Sequence, residues 1–200
     1  VQDQLANGFN KLQALALTKT ITLPGTGQGI AVGQTDPHWS ITAIDGKALP
    51  KPLSPVIFDT DSFETRVRTG LSYLPNNPAK SQWLAPPNFR HVKTSLRYEL
   101  NFDLTGIDSA SVELLLRFIA DKHISAIHIN GTAIAVPEHG NGPDFTEMIQ
   151  ASIREGLIAG QNTLAITVQR QHAEGTTVFW TGLRAELQLI DRRLGAGPNE

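Results

Sequence analysis

Three observations predict an all-β chain of two packed antiparallel sheets with an N-terminal helical arm. Apolar and polar residues alternate with period two in three separate segments, 95–104, 111–120 and 162–168. Two apolar runs flank Asn130-Gly131, the residue pair that favours a type I′ hairpin turn because both positions need positive φ. Proline is concentrated between residues 36 and 93, where it cannot donate to a sheet ladder and so marks edge strands and surface loops.

The arm comes first in the chain. Leu5, Phe9, Leu12 and Leu15 recur at spacings of four, three and three, one apolar helical stripe from about Asp3 to Leu17. The period then changes to two, with Ile21 and Leu23 alternating with Thr20 and Thr22. "PGTGQG" (24–29) follows. It lacks the Lys-Ser/Thr and the following helix of a phosphate loop, and is read as a turn. The division is an arm at 1–17, a sandwich domain at 18–192 and a flexible tail at 193–200. A chain of this length can bury a core without staples.

The proline-rich stretch holds two tryptophans, Trp39 in "TDPHWSI" and Trp83 in "SQWLAPP". Each can stack on a ligand ring or close the core, and a large aromatic near the start of a strand more often does the latter. In "SLRYELNFDL" (95–104), Leu96, Tyr98, Leu100, Phe102 and Leu104 point one way, a half-buried strand. "SVELLLRFIA" (111–120) is apolar on both faces and is read as central. Asp121-Lys122-His123 is then a tight connection to "ISAIHI" (124–129), and "TAIAV" (132–136) pairs back after Asn130-Gly131. "NTLAITV" and "RAELQLI" complete the set, with Ala185, Leu187 and Leu189 facing inward. One segment is ambiguous: Phe145, Met148, Ile149, Ile153 and Leu157 fit helical spacing, so periodicity alone predicts a helix there.

Composition narrows the function. With no cysteine, disulfides, thiolate chemistry and Cys-based zinc sites are excluded, while the compartment stays open. A formal net charge of −2 with both signs spread along the chain offers no basic stripe for nucleic acid. No apolar run approaches the ~20 residues of a membrane span. The start at Val1, without Met, suggests a mature form or an excised segment. Enzymatic signatures are weak. His123 and His128 fall on opposite faces of one strand by parity, and no His-Glu-x-x-His or Gly-x-Ser-x-Gly occurs. Glu138, His139 and Asp144 cluster in "PEHGNGPD", a metal or acid-base trio or simply a solvated loop.

The order "DPHW", "SQWLAP", "FDLTG", "FIAD", "IHING", "GLIAGQNTLAITV" and "TGLRAEL" resembles the galactose-binding-like jelly-roll domains of bacterial surface and exported proteins. It is also similar to the ancillary sugar-binding domains of glycoside hydrolases, over roughly residues 30–190. The resemblance implies a jelly-roll sandwich, a strand at "FTEMIQ" with a short helical turn before Gly160, and an extracellular or periplasmic location. It also implies a structural calcium ion, for which Asp121 and Glu186 are the nearest positional matches; otherwise Asp121 caps a turn and Glu186 faces solvent. The function implied is a non-catalytic module binding carbohydrate or another surface ligand, with Trp180, Trp83, Tyr73 and His139 as contacts. The alternative is an assembly domain whose arm and loops bind another protein domain or chain. Accessible tryptophan faces favour sugar, and buried ones favour assembly.

Overall fold

A computed structural model describes residues 19–60, 73–87, 95–121, 123–138, 147–169 and 181–192. The predicted arm at 3–17, the tail, His139, Asp144 and Trp180 lie outside these residues.

The described chain is all-β, apart from a single 3₁₀ turn at Ser109–Ser111. The strands are β1 (Lys19–Leu23), β2 (Trp39–Ile44), β3 (Lys47–Leu53), β4 (Val56–Ile57), β5 (Leu84–Ala85), β6 (Leu96–Asp103), β7 (Val112–Ala120), β8 (His123–Ile129), β9 (Thr132–Ile134), β10 (Ile149–Ile153), β11 (Gln161–Gln169) and β12 (Leu183–Asp191). They form two antiparallel sheets. The first runs β10-β7-β12-β5-β4, with β1 also paired to β12; the second runs β3-β2-β6-β11-β8-β9. The chain crosses from the first sheet to the second between Ala120 and His123, the tight connection read from the sequence.

Period two decides what meets between the sheets. From the first come Leu114, Leu116, Phe118, Ala185, Leu187 and Leu189, and from the second Leu96, Tyr98, Leu100, Leu164, Ile166 and Val168, all buried in one cluster. Each large side chain so removed from water contributes about 2 kcal/mol. Trp39 and Trp83 are both buried. The prolines fall as predicted: β3, which carries Pro50 and Pro52, is an edge strand.

Two turns close on positive φ. Asn130 (50°) and Gly131 (84°) join β8 to β9, and Asp45 (51°) and Gly46 (71°) join β2 to β3 by the same device.

Of residues 145–150, where the resemblance implies a strand, 149–150 belong to β10, which continues to Ile153 and pairs with β7, and the helix that periodicity alone predicts is absent from the described residues 147–157. Ala151 and Ile153 point into the core and Met148 packs on a separate aromatic cluster, so apolar contacts on two sides of a strand imitate a helical stripe. In place of a helical turn before Gly160 there is a turn at 155–156 and a bend at 159–160. The parity of His123 and His128 is corrected too. Thr167 faces Ala126 but Val168 faces Ile124, so Ser125 is an extra residue in β8. This bulge lets Ile124, Ile127 and Ile129 all reach the core and turns both histidines to the outer face.

Candidate functional site

Because Leu114, Leu116 and Phe118 face inward, β7 presents Glu113, Leu115, Arg117 and Ile119 on the outer face of the first sheet. Opposite them on β12 stand Ile190, Gln188, Glu186 and Arg184. On the flanks, β10 places Gln150 beside Arg117 and Ser152 beside Leu115, and β1 places Thr22 beside Gln188. This face falls into three zones.

The end at Ile119 and Arg184 is sealed. Phe58, Trp83, Ala85 and Ile119 are buried together, with Tyr73 and Met148 packed against them. Tyr73 meets Phe58 and Trp83 edge-on, with centroids 5.7 and 5.2 Å apart. The Trp83 indole Nε1 donates to the Leu74 carbonyl at 2.8 Å. Arg184, its side chain 4% exposed, gives Nε to Ser81 Oγ at 2.8 Å and Nη1 to the Pro75 and Leu74 carbonyls at 2.5 and 3.3 Å. Burial pulls its pKa down, opposed by Glu186. Its donors fasten the 74–81 segment to the sheet.

The middle is open. A cleft of about 500 Å³ has Leu115, Arg117, Glu186 and Gln188 in its lining, and Gly25 and Lys80 at its walls. The walls come from two loops that hold each other. Gln82 Nε2 donates to the Gly27 and Ile30 carbonyls at 2.5 and 2.6 Å, Thr26 Oγ1 to the Gln82 carbonyl at 2.7 Å, and Gln28 Nε2 to the Ala79 carbonyl at 3.0 Å. A Cβ at Gly25 would collide with the Lys80 carbonyl oxygen, so glycine is required for this approach. Within the cleft, Arg117 Nη1 bonds Glu186 Oε2 at 2.9 Å, and Ser81 Oγ donates to Glu186 Oε1 at 3.0 Å. Arg117 keeps 49% of its side chain exposed. Lys80, Gln150 and Gln188 are exposed and make no side-chain hydrogen bond among the described residues.

The far end is clasped. Glu113, nearly buried, accepts from Ser152 Oγ, from Arg192 and from Arg154 Nη2, the last at 3.3 Å. The Ser152 bond and the two guanidiniums hold its carboxyl below the usual glutamate value, against the opposing effect of burial.

The sequence-derived candidates do not converge. Trp83 is fully buried and Tyr73 half-buried in the sealed zone, so Trp83 offers no open ring face. Asp121 is buried, with Oδ1 accepting from the Gly182 amide at 2.6 Å. Burial first, and then the Asp121 charge, push the Tyr73 and Tyr98 phenols far above their ordinary values. Glu186 lies four residues beyond Gly182 on β12, about 13 Å along the strand at ~3.3 Å per residue. One calcium ion cannot use both carboxylates at that separation, and Glu186 already faces Arg117 and Arg184, so the pair does not fit a metal. Among the described residues no cluster of three His, Asp or Glu suits one. Sequence reasoning missed Lys80, Arg117, Gln150 and Gln188; their only signal was an outward position on strands or loops.

No family model matches the chain, and no curated protein matches it. Among solved structures, the chain is similar to an uncultured Clostridium sp. β-glucuronidase at 14% identity and a TM-score of 0.45, covering 88% of this chain and 30% of that one. It is similar to a Bifidobacterium dentium β-glucuronidase at 14% identity and a TM-score of 0.46, with the same coverage. An exo-β-1,3-galactanase from Phanerochaete chrysosporium is matched at 11% identity and a TM-score of 0.29, over 54% of this chain and 26% of that one. The chain thus spans about 30% of the length of the two β-glucuronidases.

Proposed function

We propose that this chain is a non-catalytic binding module of an exported or surface protein, built as a galactose-binding-like jelly roll, and that it takes carbohydrate in the outer-face cleft. The carrying observation is the set of uncommitted polar side chains there: Lys80, Gln150 and Gln188 beside the half-exposed Arg117, over Leu115. A sugar presents hydroxyls that both donate and accept, together with C–H faces. The glutamine amides supply both senses of hydrogen bond, and Leu115 supplies apolar contact. The volume falls within the usual range for small-ligand sites, about 300–1,000 Å³. Glycoside hydrolysis usually needs two flanking carboxylates; Glu186 is the one carboxylate among the described residues lining the cleft, and it is tied to Arg117 and Ser81. That supports a binding role over a catalytic one.

The assembly reading keeps one observation in its favour: Trp39 and Trp83 are buried, so neither supplies an exposed stacking platform. Glycan-array screening followed by calorimetric titration of Gln150→Ala and Gln188→Ala separates the two. The expected result is at least tenfold weaker binding in a variant that keeps its circular dichroism and Tm. If no glycan binds the intact chain, the assembly reading takes its place.

A further inference from the structure

We infer that the outer-face cleft selects glycans that carry a negative charge, a carboxylate or a sulfate, over their neutral counterparts. The inference rests on the carbohydrate reading of the same cleft and specifies the ligand class.

The whole chain is slightly acidic, with a formal charge of −2, but the cleft is not. Arg117 and Lys80 line it and Arg184 lies immediately behind, against the single carboxylate of Glu186. Two cations therefore line the cleft against one anion, with Arg184 buried behind it. Glu186 spends its charge inside the protein: Oε2 is 2.9 Å from Arg117 Nη1, while Oε1 accepts from Ser81 and lies 3.9 Å from Arg184 Nη2. Arg117 has further N–H donors, and the 49% exposure of its side chain leaves them open to the cleft. Lys80, on the opposite wall, is exposed and makes no ion pair among the described residues. An anionic group entering between them meets a guanidinium fork, which suits pairs of carboxylate or sulfate oxygens, and a compact point charge.

Rigidity adds to the selectivity. Arg117 is oriented by Glu186, and Glu186 by Ser81 and Arg184, whose guanidinium is anchored on the Pro75 and Leu74 carbonyls. Lys80 is carried on the segment that Gln28 and Gly25 pin to the 24–29 loop. The Arg117 part of the positive field is thus set before the ligand arrives, which lowers the cost of ordering on binding.

The test is calorimetric titration of the intact chain with three tetrasaccharides of matched length, one of glucuronate units, one sulfated and one of neutral glucose units. At low salt, an anionic tetrasaccharide binds at least tenfold more tightly than the neutral one. The uronate and sulfated arms show which anion is preferred. The ratio shrinks severalfold as salt rises toward ~1 M, where the Debye length falls to about 3 Å. In Lys80→Gln, with unchanged Tm, the ratio of anionic to neutral affinity falls toward one. Equal binding of all three sugars overturns the charge selection while leaving the carbohydrate reading in place. Binding of none of them, together with a blank glycan array, removes both.

Discussion

Arg184 and Arg117 sit two residues apart in register on neighbouring strands of the same sheet face, yet one is sealed and the other open. Arg184 is 4% exposed and spends its donors on Ser81 and the Leu74 and Pro75 carbonyls of the 74–81 segment. Arg117 is 49% exposed and makes one ion pair. The contrast shows that residue type does not mark a site: the same guanidinium is a rivet where loops cover the sheet and a ligand donor where they stop at Gly25 and Lys80. Glu113, farther along β7, is intermediate, closed over by Arg154 and Arg192 but by no loop core.

The largest effect belongs to the sealed end. Arg184→Ala leaves the Pro75 carbonyl and Ser81 Oγ without this donor, the Leu74 carbonyl with the Trp83 indole alone and the Glu186 carboxylate less matched, and lowers stability by about 3 kcal/mol in urea denaturation. A loss well under 1 kcal/mol would mean that the 74–81 segment is not riveted through this side chain.

The clasped end responds to acid. The Glu113 carboxyl has a lower pKa folded than unfolded. Its stabilisation is therefore complete above the ordinary glutamate value and disappears as pH falls through the lower folded one. Glu113→Gln costs about 2 kcal/mol at neutral pH, and its stability declines less than the parent's on acidification below pH ~5. Parallel acid profiles for the two proteins would break the assignment. The smallest effect is at the open zone, where Arg117→Ala changes stability by no more than about 0.5 kcal/mol, because water replaces the ion pair.

The sheets were legible where burial is one-sided. Leu96, Tyr98, Leu100 and Phe102 on β6, and Leu164, Ile166 and Val168 on β11, alternate because one face meets the core and the other meets water. The Asn130-Gly131 turn was legible because its backbone demands those residues. Asp45-Gly46 carries the same signal, obscured by Pro50 and Pro52 on a strand that tolerates them only at an edge. Legibility failed where one residue disturbed the count. The Ser125 bulge reversed the histidines, and Met148, held by the satellite cluster, completed a false helical stripe with Ile149 and Ile153. Apart from Glu186, singled out for a metal, the cleft was not legible. Thr22, Lys80, Arg117, Gln150 and Gln188 come from five separate segments, and each alone reads as an ordinary exposed polar residue. The aromatic candidates failed for the opposite reason: a tryptophan's size drew Trp83 into a cluster, where its indole N–H finds the Leu74 carbonyl.

The central claim, that carbohydrate binds on the open zone of the first sheet, is tested most directly by amide chemical-shift mapping of the ¹⁵N-labelled chain during titration with the glucuronate tetrasaccharide. The account predicts that the largest shifts fall on Leu115–Arg117, Gln150 and Glu186–Gln188, with Trp39–Ile44 on the second sheet unmoved. Shifts confined to the second sheet, or none at millimolar sugar, would contradict it.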